Sequence, residues 1–153
     1  VNSLSLGEYP LLLEVLKSLF VGLSTSNIEN ISVTSANLSF SNISEDIFGP
    51  LCNKSLASLN LSGNTLVLYP SVFTSLAMLS SLTLSNCKIR NIEPEYFDGM
   101  TRLEYLFLDN NKIRRINSRG NSWRIHLYPI SFNLLKDLFI LSFFKPPLRF
   151  GEA

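Results

Sequence analysis

The chain has 153 residues, 46% of them hydrophobic and 16% charged, and carries a formal net charge of +1. That composition suits a globular chain long enough to bury a core, while the near-zero charge gives no broad field to draw nucleic acid or an acidic membrane surface. The sequence holds no uninterrupted run of about 20 apolar residues to span a bilayer, and its first residues do not form a secretory leader.

Taken in order, Val1-x-x-Leu4-x-Leu6 opens a first coil. Its apolar return, Pro10 to Leu23, contains a segment from Leu11 to Leu23 that can form a short helix with Glu14 and Lys17 on its polar side. The second coil starts at Ile28-x-x-Ile31-x-Val33, has Ala36 at the following turn, and returns through Phe48-x-x-Leu51. Three regular copies follow: Leu56-x-x-Leu59-x-Leu61-x-x-Asn64-x-Leu66, then Leu79-x-x-Leu82-x-Leu84-x-x-Cys87-x-Ile89, then Leu103-x-x-Leu106-x-Leu108-x-x-Asn111-x-Ile113. Their starts lie 23 and 24 residues apart, which is the period and wording of a leucine-rich repeat.

The physical content of the pattern is a strand. Leucines two apart point to one face, and the residues between them point to the other. Equivalent strands from successive coils can stack as a parallel sheet over a continuous apolar interior. Asn64, Cys87 and Asn111 stand where the chain leaves each strand, and a buried amide there can pair the backbone groups that the turn strands. A thiol is small enough to replace it. Phe20, Phe48, Phe73 and Phe97 recur at one phase of the returns and are expected to stack as a column, wider than the strand spacing. The expected fold is therefore α/β: a leucine-rich-repeat solenoid, a curved horseshoe with short parallel strands on the concave side and loops and short helical turns on the convex side.

Residues 1–117 make the repeats, with coils starting near 1, 28, 56, 79 and 103. Residues 118–131 read as an irregular insertion, and 132–153 as either a partial sixth repeat, from Phe132-x-x-Leu135-x-x-Leu138-x-x-Leu141, or a tail outside the repeats. Neither an initiator Met nor a capping coil is in view. The chain thus reads as an internal piece whose end coils expose leucine core, and it is not expected to fold alone.

Five Asn-x-Ser sequons are candidates for glycosylation: Asn30, Asn37, Asn42, Asn53 and Asn60. Asn37, Asn42 and Asn53 fall in the return segments and are the ones expected to be modified, whereas Asn30 and Asn60 fall on outward strand positions. The outward positions of the first four strands are small and neutral: Ser3, Ser5, Ser32, Thr34, Ser58, Asn60, Ser81, Thr83 and Ser85. The fifth differs. Glu104, Tyr105, Phe107 and Asp109 set two aromatics between two carboxylates, a composition suited to partner contact, although an unremarkable surface remains the blander reading. Lys112, Arg114, Arg115, Arg119 and Arg124 form a basic cluster that reads as a solvated edge rather than a nucleic-acid site.

Catalysis is not expected. The single histidine, His126, has no Ser and acid at triad spacing, and Cys52 and Cys87 match no metal-ligand spacing, so no metal or cofactor is expected. The two cysteines sit at different phases of their repeats and read as free thiols.

The passage Ser24-Thr-Ser-Asn-Ile-Glu-Asn-Ile-Ser-Val-Thr, running on through Phe48-Gly-Pro-Leu-Cys-Asn-Lys-Ser-Leu-Ala-Ser-Leu-Asn-Leu-Ser-Gly-Asn64, resembles the middle of a Toll-like receptor ectodomain. The irregular, sequon-bearing coil before a regular one carries that resemblance, over residues 1 to 117. It implies a glycosylated extracellular or lumenal part of a single-pass membrane protein, which meets a protein or microbial ligand on its concave or lateral face, dimerises and signals in innate immunity. Two alternatives stay open: an extracellular adhesion or matrix protein of the same repeat, and a truncated product without independent function.

Overall fold

The computed structural model describes residues 2–38, 47–52, 54–116 and 130–131. Its strands are β1 (Ser3–Gly7), β2 (Asn30–Thr34), β3 (Ser58–Asn60), β4 (Ser81–Thr83), β5 (Asn91–Ile92), β6 (Tyr105–Phe107), β7 (Arg115–Ile116) and β8 (Ile130–Ser131). Six of them form one parallel sheet in the order β1-β2-β3-β4-β6-β8, so each coil adds one strand beside the last. The remaining pair, β5 with β7, is a second parallel ladder made by the returns of adjacent coils. The fold is an α/β leucine-rich-repeat fold.

Register follows the leucines. Leu4, Ile31, Leu59, Leu82 and Leu106 are successive partners across the sheet, and the last four are fully buried. A slip of one residue would turn this row to solvent, so the apolar alternation itself selects the pairing. Leu4 and Leu6 are only half-buried, because β1 has a neighbour on one side alone among the described residues.

The returns do what the phenylalanine spacing predicts. Phe20, Phe48, Phe73 and Phe97 are buried and stack in sequence with ring centroids 5.7, 5.6 and 6.1 Å apart. Strands in a sheet lie about 4.8 Å apart, so the return side is the wider one, which is the geometric condition for a curved stack. The first return is the helix α1 (Leu13–Leu23), two residues shorter at its start than the apolar run suggested. No side chain caps it, and burial of Leu16 and Phe20 against the core anchors it instead. Later returns shrink to single turns of 3-10 helix at Gly49–Leu51 and Pro94–Phe97. Lys54 straps the first two returns together, its buried ammonium donating to the carbonyl and hydroxyl oxygens of Ser26.

Each strand exits through the same backbone shape. Glu8, Ser35, Gly63, Asn86 and Asn110 occupy equivalent positions, two after the last core residue of the strand pattern, and all have φ between 50° and 76°. Gly63, Asn86 and Asn110 are residue types that tolerate this left-handed region; Glu8 and Ser35 adopt it under pressure from the stack. At Gly63 a side chain is further barred, since a Cβ would come within 2.5 Å of Ser35 Oγ.

The next residue closes the turn. Asn64 Nδ2 donates to Val33 O at 2.8 Å and Leu61 O at 2.9 Å, while its Oδ1 accepts from the N–H groups of Ala36 at 3.0 Å and Leu38 at 3.1 Å. Asn111 repeats this one coil pair later, donating to Leu84 O and Leu108 O and accepting from Cys87 N and Ile89 N. Cys87 keeps only the donor half, with Sγ 3.2 Å from Leu61 O and 3.4 Å from Ser85 O. Leu66 N, which an amide oxygen at this position would take, bonds the Cys87 backbone carbonyl instead, at 3.1 Å. Burial pushes the Cys87 thiol up to about 11, against a smaller opposing pull from the backbone N–H groups of Asn64 and Gly63. Both thiols are free, Cys52 exposed and Cys87 buried.

One expectation needs revision. The strand that continues the sheet beyond β6 is β8, inside the segment read as an irregular insertion, and it pairs Leu106 with Ile130 at the repeat interval of 24 residues. Leu138 and Leu141, where the spacing from Phe132 put the next strand, lie outside the described residues.

Candidate functional site

Because successive side chains alternate, the residues between the buried leucines face outward in rows that cross the sheet. One row runs Ser3, Asn30, Ser58, Ser81, Tyr105; the next runs Ser5, Ser32, Asn60, Thr83, Phe107. Along the first four strands of both rows every group is a hydroxyl or a primary amide. At β6 both rows change to an aromatic ring, and the Phe107 row goes on to Ser131 on β8.

Tyr105 is 42% exposed, and Phe107 keeps part of its ring in solvent. Glu104 is exposed, and half-buried Asp109 accepts from Ser85 Oγ at 3.4 Å on its Oδ2. The backbone N–H groups of Glu104 and Tyr105 both bond Ser80 O at 2.9 Å, which holds the start of β6 against the preceding coil. Glu104, Tyr105, Phe107 and Asp109 thus lie together along β6 and its two ends. An exposed ring on a rigid strand needs little ordering to bind, which is why aromatics make effective anchors.

The sequons distribute as follows. Asn37 is exposed, with φ 53°, in the turn after β2. Asn30 and Asn60 lie half-exposed on the outward rows. Asn42 and Asn53 fall outside the described residues, as do Arg119, Arg124, Trp123 and His126. Lys112 and Arg114 are exposed, in keeping with a solvated edge.

A second surface escaped the sequence reading. The first return exposes Tyr9 at 80%, Leu12 at 74%, Val15 at 50% and Val21 at 56%. An 11-residue helix buries only one stripe, here Leu16 and Phe20 with Leu13, Leu19 and Leu23 packed beside them, and Val15 and Val21 fall outside it.

Among the described residues no helix is long and apolar enough to cross a membrane, and no group of three His, Cys, Asp or Glu is placed to hold a metal ion.

A family model described as leucine rich repeat matches residues 78–120. This segment contains the turns at Cys87 and Asn111 and both aromatic rings of β6. The chain carries leucine-rich repeats. It is similar to lumican from Rattus norvegicus, with 38% identity over 88 residues, covering 56% of this chain and 25% of that protein. Lumican from Bos taurus is 32% identical over 113 residues, 71% of this chain and 32% of the relative, and lumican from Homo sapiens is 36% identical over 88 residues, 56% and 25%. The chain spans about a quarter to a third of the length of these relatives.

Proposed function

We propose that this chain is a non-catalytic leucine-rich-repeat binding module acting outside the cell, and that it takes a protein partner at the aromatic rings of β6 on its outward strand face. The observation that carries the reading is the change at β6, where both outward rows turn to an aromatic ring, Tyr105 and Phe107, between Glu104 and Asp109, after four strands of small polar groups. Large rings anchor a partner where serines cannot, because they remove more apolar area from water per ordered side chain. The extracellular setting is supported by the lumican relatives, which favour the adhesion or matrix reading. The experiment is a binding screen of the natural protein against an array of extracellular ectodomains and matrix proteins, beside the Tyr105→Ser, Phe107→Ser double variant. Loss of the wild-type hits is expected; a double variant that keeps them all removes these rings from consideration.

A second reading, part of a Toll-like receptor ectodomain, is supported by the irregular second coil with its sequons before the regular coil at Leu56. It adds a microbial or protein ligand, receptor dimerisation and a membrane anchor. The two readings separate by fractionation of the natural product. Recovery with the plasma membrane favours the receptor, and recovery with the matrix favours the adhesion protein.

A further inference from the structure

Near the centre of the outward face stands an asparagine whose amide oxygen is engaged in a local turn. Asn60 Oδ1 accepts two hydrogen bonds from its own sequon serine, from Ser62 N at 3.0 Å and Ser62 Oγ at 2.6 Å. Its Nδ2 has no hydrogen-bond partner among the described residues, and the amide is half-exposed on the face. Both bonds falling on the oxygen turn the nitrogen away from the turn and toward solvent. Asn30, the other sequon on this face, differs: its Nδ2 lies 3.5 Å from Asn2 O, on the neighbouring coil.

N-glycosylation consumes a hydrogen of Nδ2 and leaves Oδ1 untouched. The two bonds to Ser62 therefore persist with a glycan in place, and nothing in the local fold has to move. The surroundings are equally permissive, since the residues paired with Asn60 on either side are Ser32 and Thr83. No large side chain stands on the outward rows of β1 to β4 to collide with a sugar.

We propose that Asn60 carries an N-linked oligosaccharide over the middle of the strand face, so that a folded partner engages at the aromatic rings of β6 instead of lying along the whole sheet. In the modification step, Asn60 Nδ2 attacks the anomeric carbon of an oligosaccharide carried on a lipid pyrophosphate. The C–N bond forms and the anomeric C–O bond breaks. The lipid pyrophosphate leaves with the electron pair, and the amide gives one proton to a base of the transferring enzyme. Ser62 supplies the hydroxyl that the sequon requires. Asn30 and Asn60 sit diagonally on adjacent strands, about 8 Å apart from the strand spacing and rise, and the Nδ2 that makes no hydrogen bond among the described residues distinguishes Asn60 from Asn30. Asn37 stands away from the face and is independent.

The inference rests on the extracellular reading, and the test separates the two. The natural protein is expressed from its own reading frame in a mammalian cell, recovered from medium and lysate, and mapped by enzymatic deglycosylation in heavy-oxygen water with mass spectrometry. Asn60 is expected to carry the label, to lose it in Ser62→Ala and to keep it in Ser62→Thr. An unlabelled Asn60 beside a labelled Asn37 overturns the inference alone. Absence of label at every sequon overturns the extracellular reading with it.

Masking is then read by the rate of labelling with a maleimide-linked polyethylene glycol, in a Cys52→Ser background. Thr83→Cys should react severalfold more slowly with the Asn60 glycan than in the Ser62→Ala variant, and Tyr105→Cys should react at the same rate in both. Equal rates at Thr83→Cys, or equal slowing at Tyr105→Cys, overturn the division of the face.

Discussion

The two sides of the same strands obey opposite rules. Inward, Ile31, Leu59, Leu82 and Leu106 are aligned partners, all buried and nearly interchangeable in shape. Outward, one residue along, the row changes from Ser32 to Asn60, Thr83 and Phe107. Stacking demands that each coil present the same apolar knob to its neighbours, so the inner side is held constant by packing. The outer side touches solvent and is released from that demand. Stability is therefore concentrated in the repeated positions, and candidate function in the position that breaks the repetition.

The comparison can be broken from the inside first. Phe73→Ala removes the middle of the aromatic column, where Phe73 contacts both Phe48 and Phe97. A loss of about 3 to 5 kcal/mol is expected from the deleted ring and the cavity it leaves, read as a lower urea midpoint of the natural protein. Asn64→Ala should follow at about 2 to 4 kcal/mol, because it takes the side-chain partner from the N–H groups of Ala36 and Leu38 and from the Val33 carbonyl in a buried turn, leaving Leu61 O its bond from Cys87 Sγ. Cost close to zero for that variant would mean the amide ladder is incidental.

Cys87 sharpens the same comparison through pH. Its thiol ionises near 9.0 when unfolded and at about 11 when folded. A raised folded pKa gives stability that is complete below pH 9 and lost as pH climbs toward 11, at most about 3 kcal/mol at 1.36 kcal/mol per pKa unit. Wild-type unfolding free energy should fall across that window more steeply than that of Cys87→Ala. Parallel curves would show that the thiol is not buried.

The smallest effect on stability belongs to the outer side. Replacing Tyr105 and Phe107 with serine should cost less than about 1 kcal/mol, as surface substitutions do, while removing partner binding. A large loss of stability would place the rings in the core and erase the distinction between the two sides.

Much of this was legible in the chain. The leucine spacing located β2, β3, β4 and β6, the phenylalanine phase located the column, and Asn64 and Asn111 were readable as turn-closers because a buried primary amide has both donors and an acceptor. The left-handed exit position is less legible: Gly63, Asn86 and Asn110 tolerate that φ, but Glu8 and Ser35 at the same position do not prefer it, so residue type alone does not mark it. The strand at Ile130 was also readable, at the same interval from Leu106 as Leu106 from Leu82. Phe132 competes with that reading, because its spacing to Leu135 also fits the return phenylalanines.

What the sequence determined by itself is the repeat: period, inward face and turn residues, all set by alternation and side-chain chemistry acting locally. What only the tertiary structure decided is the outward surface. Which rings stay exposed, which helix stripe is left uncovered and which way the Asn60 amide turns all depend on neighbours one coil away, brought together by stacking rather than by adjacency in the chain.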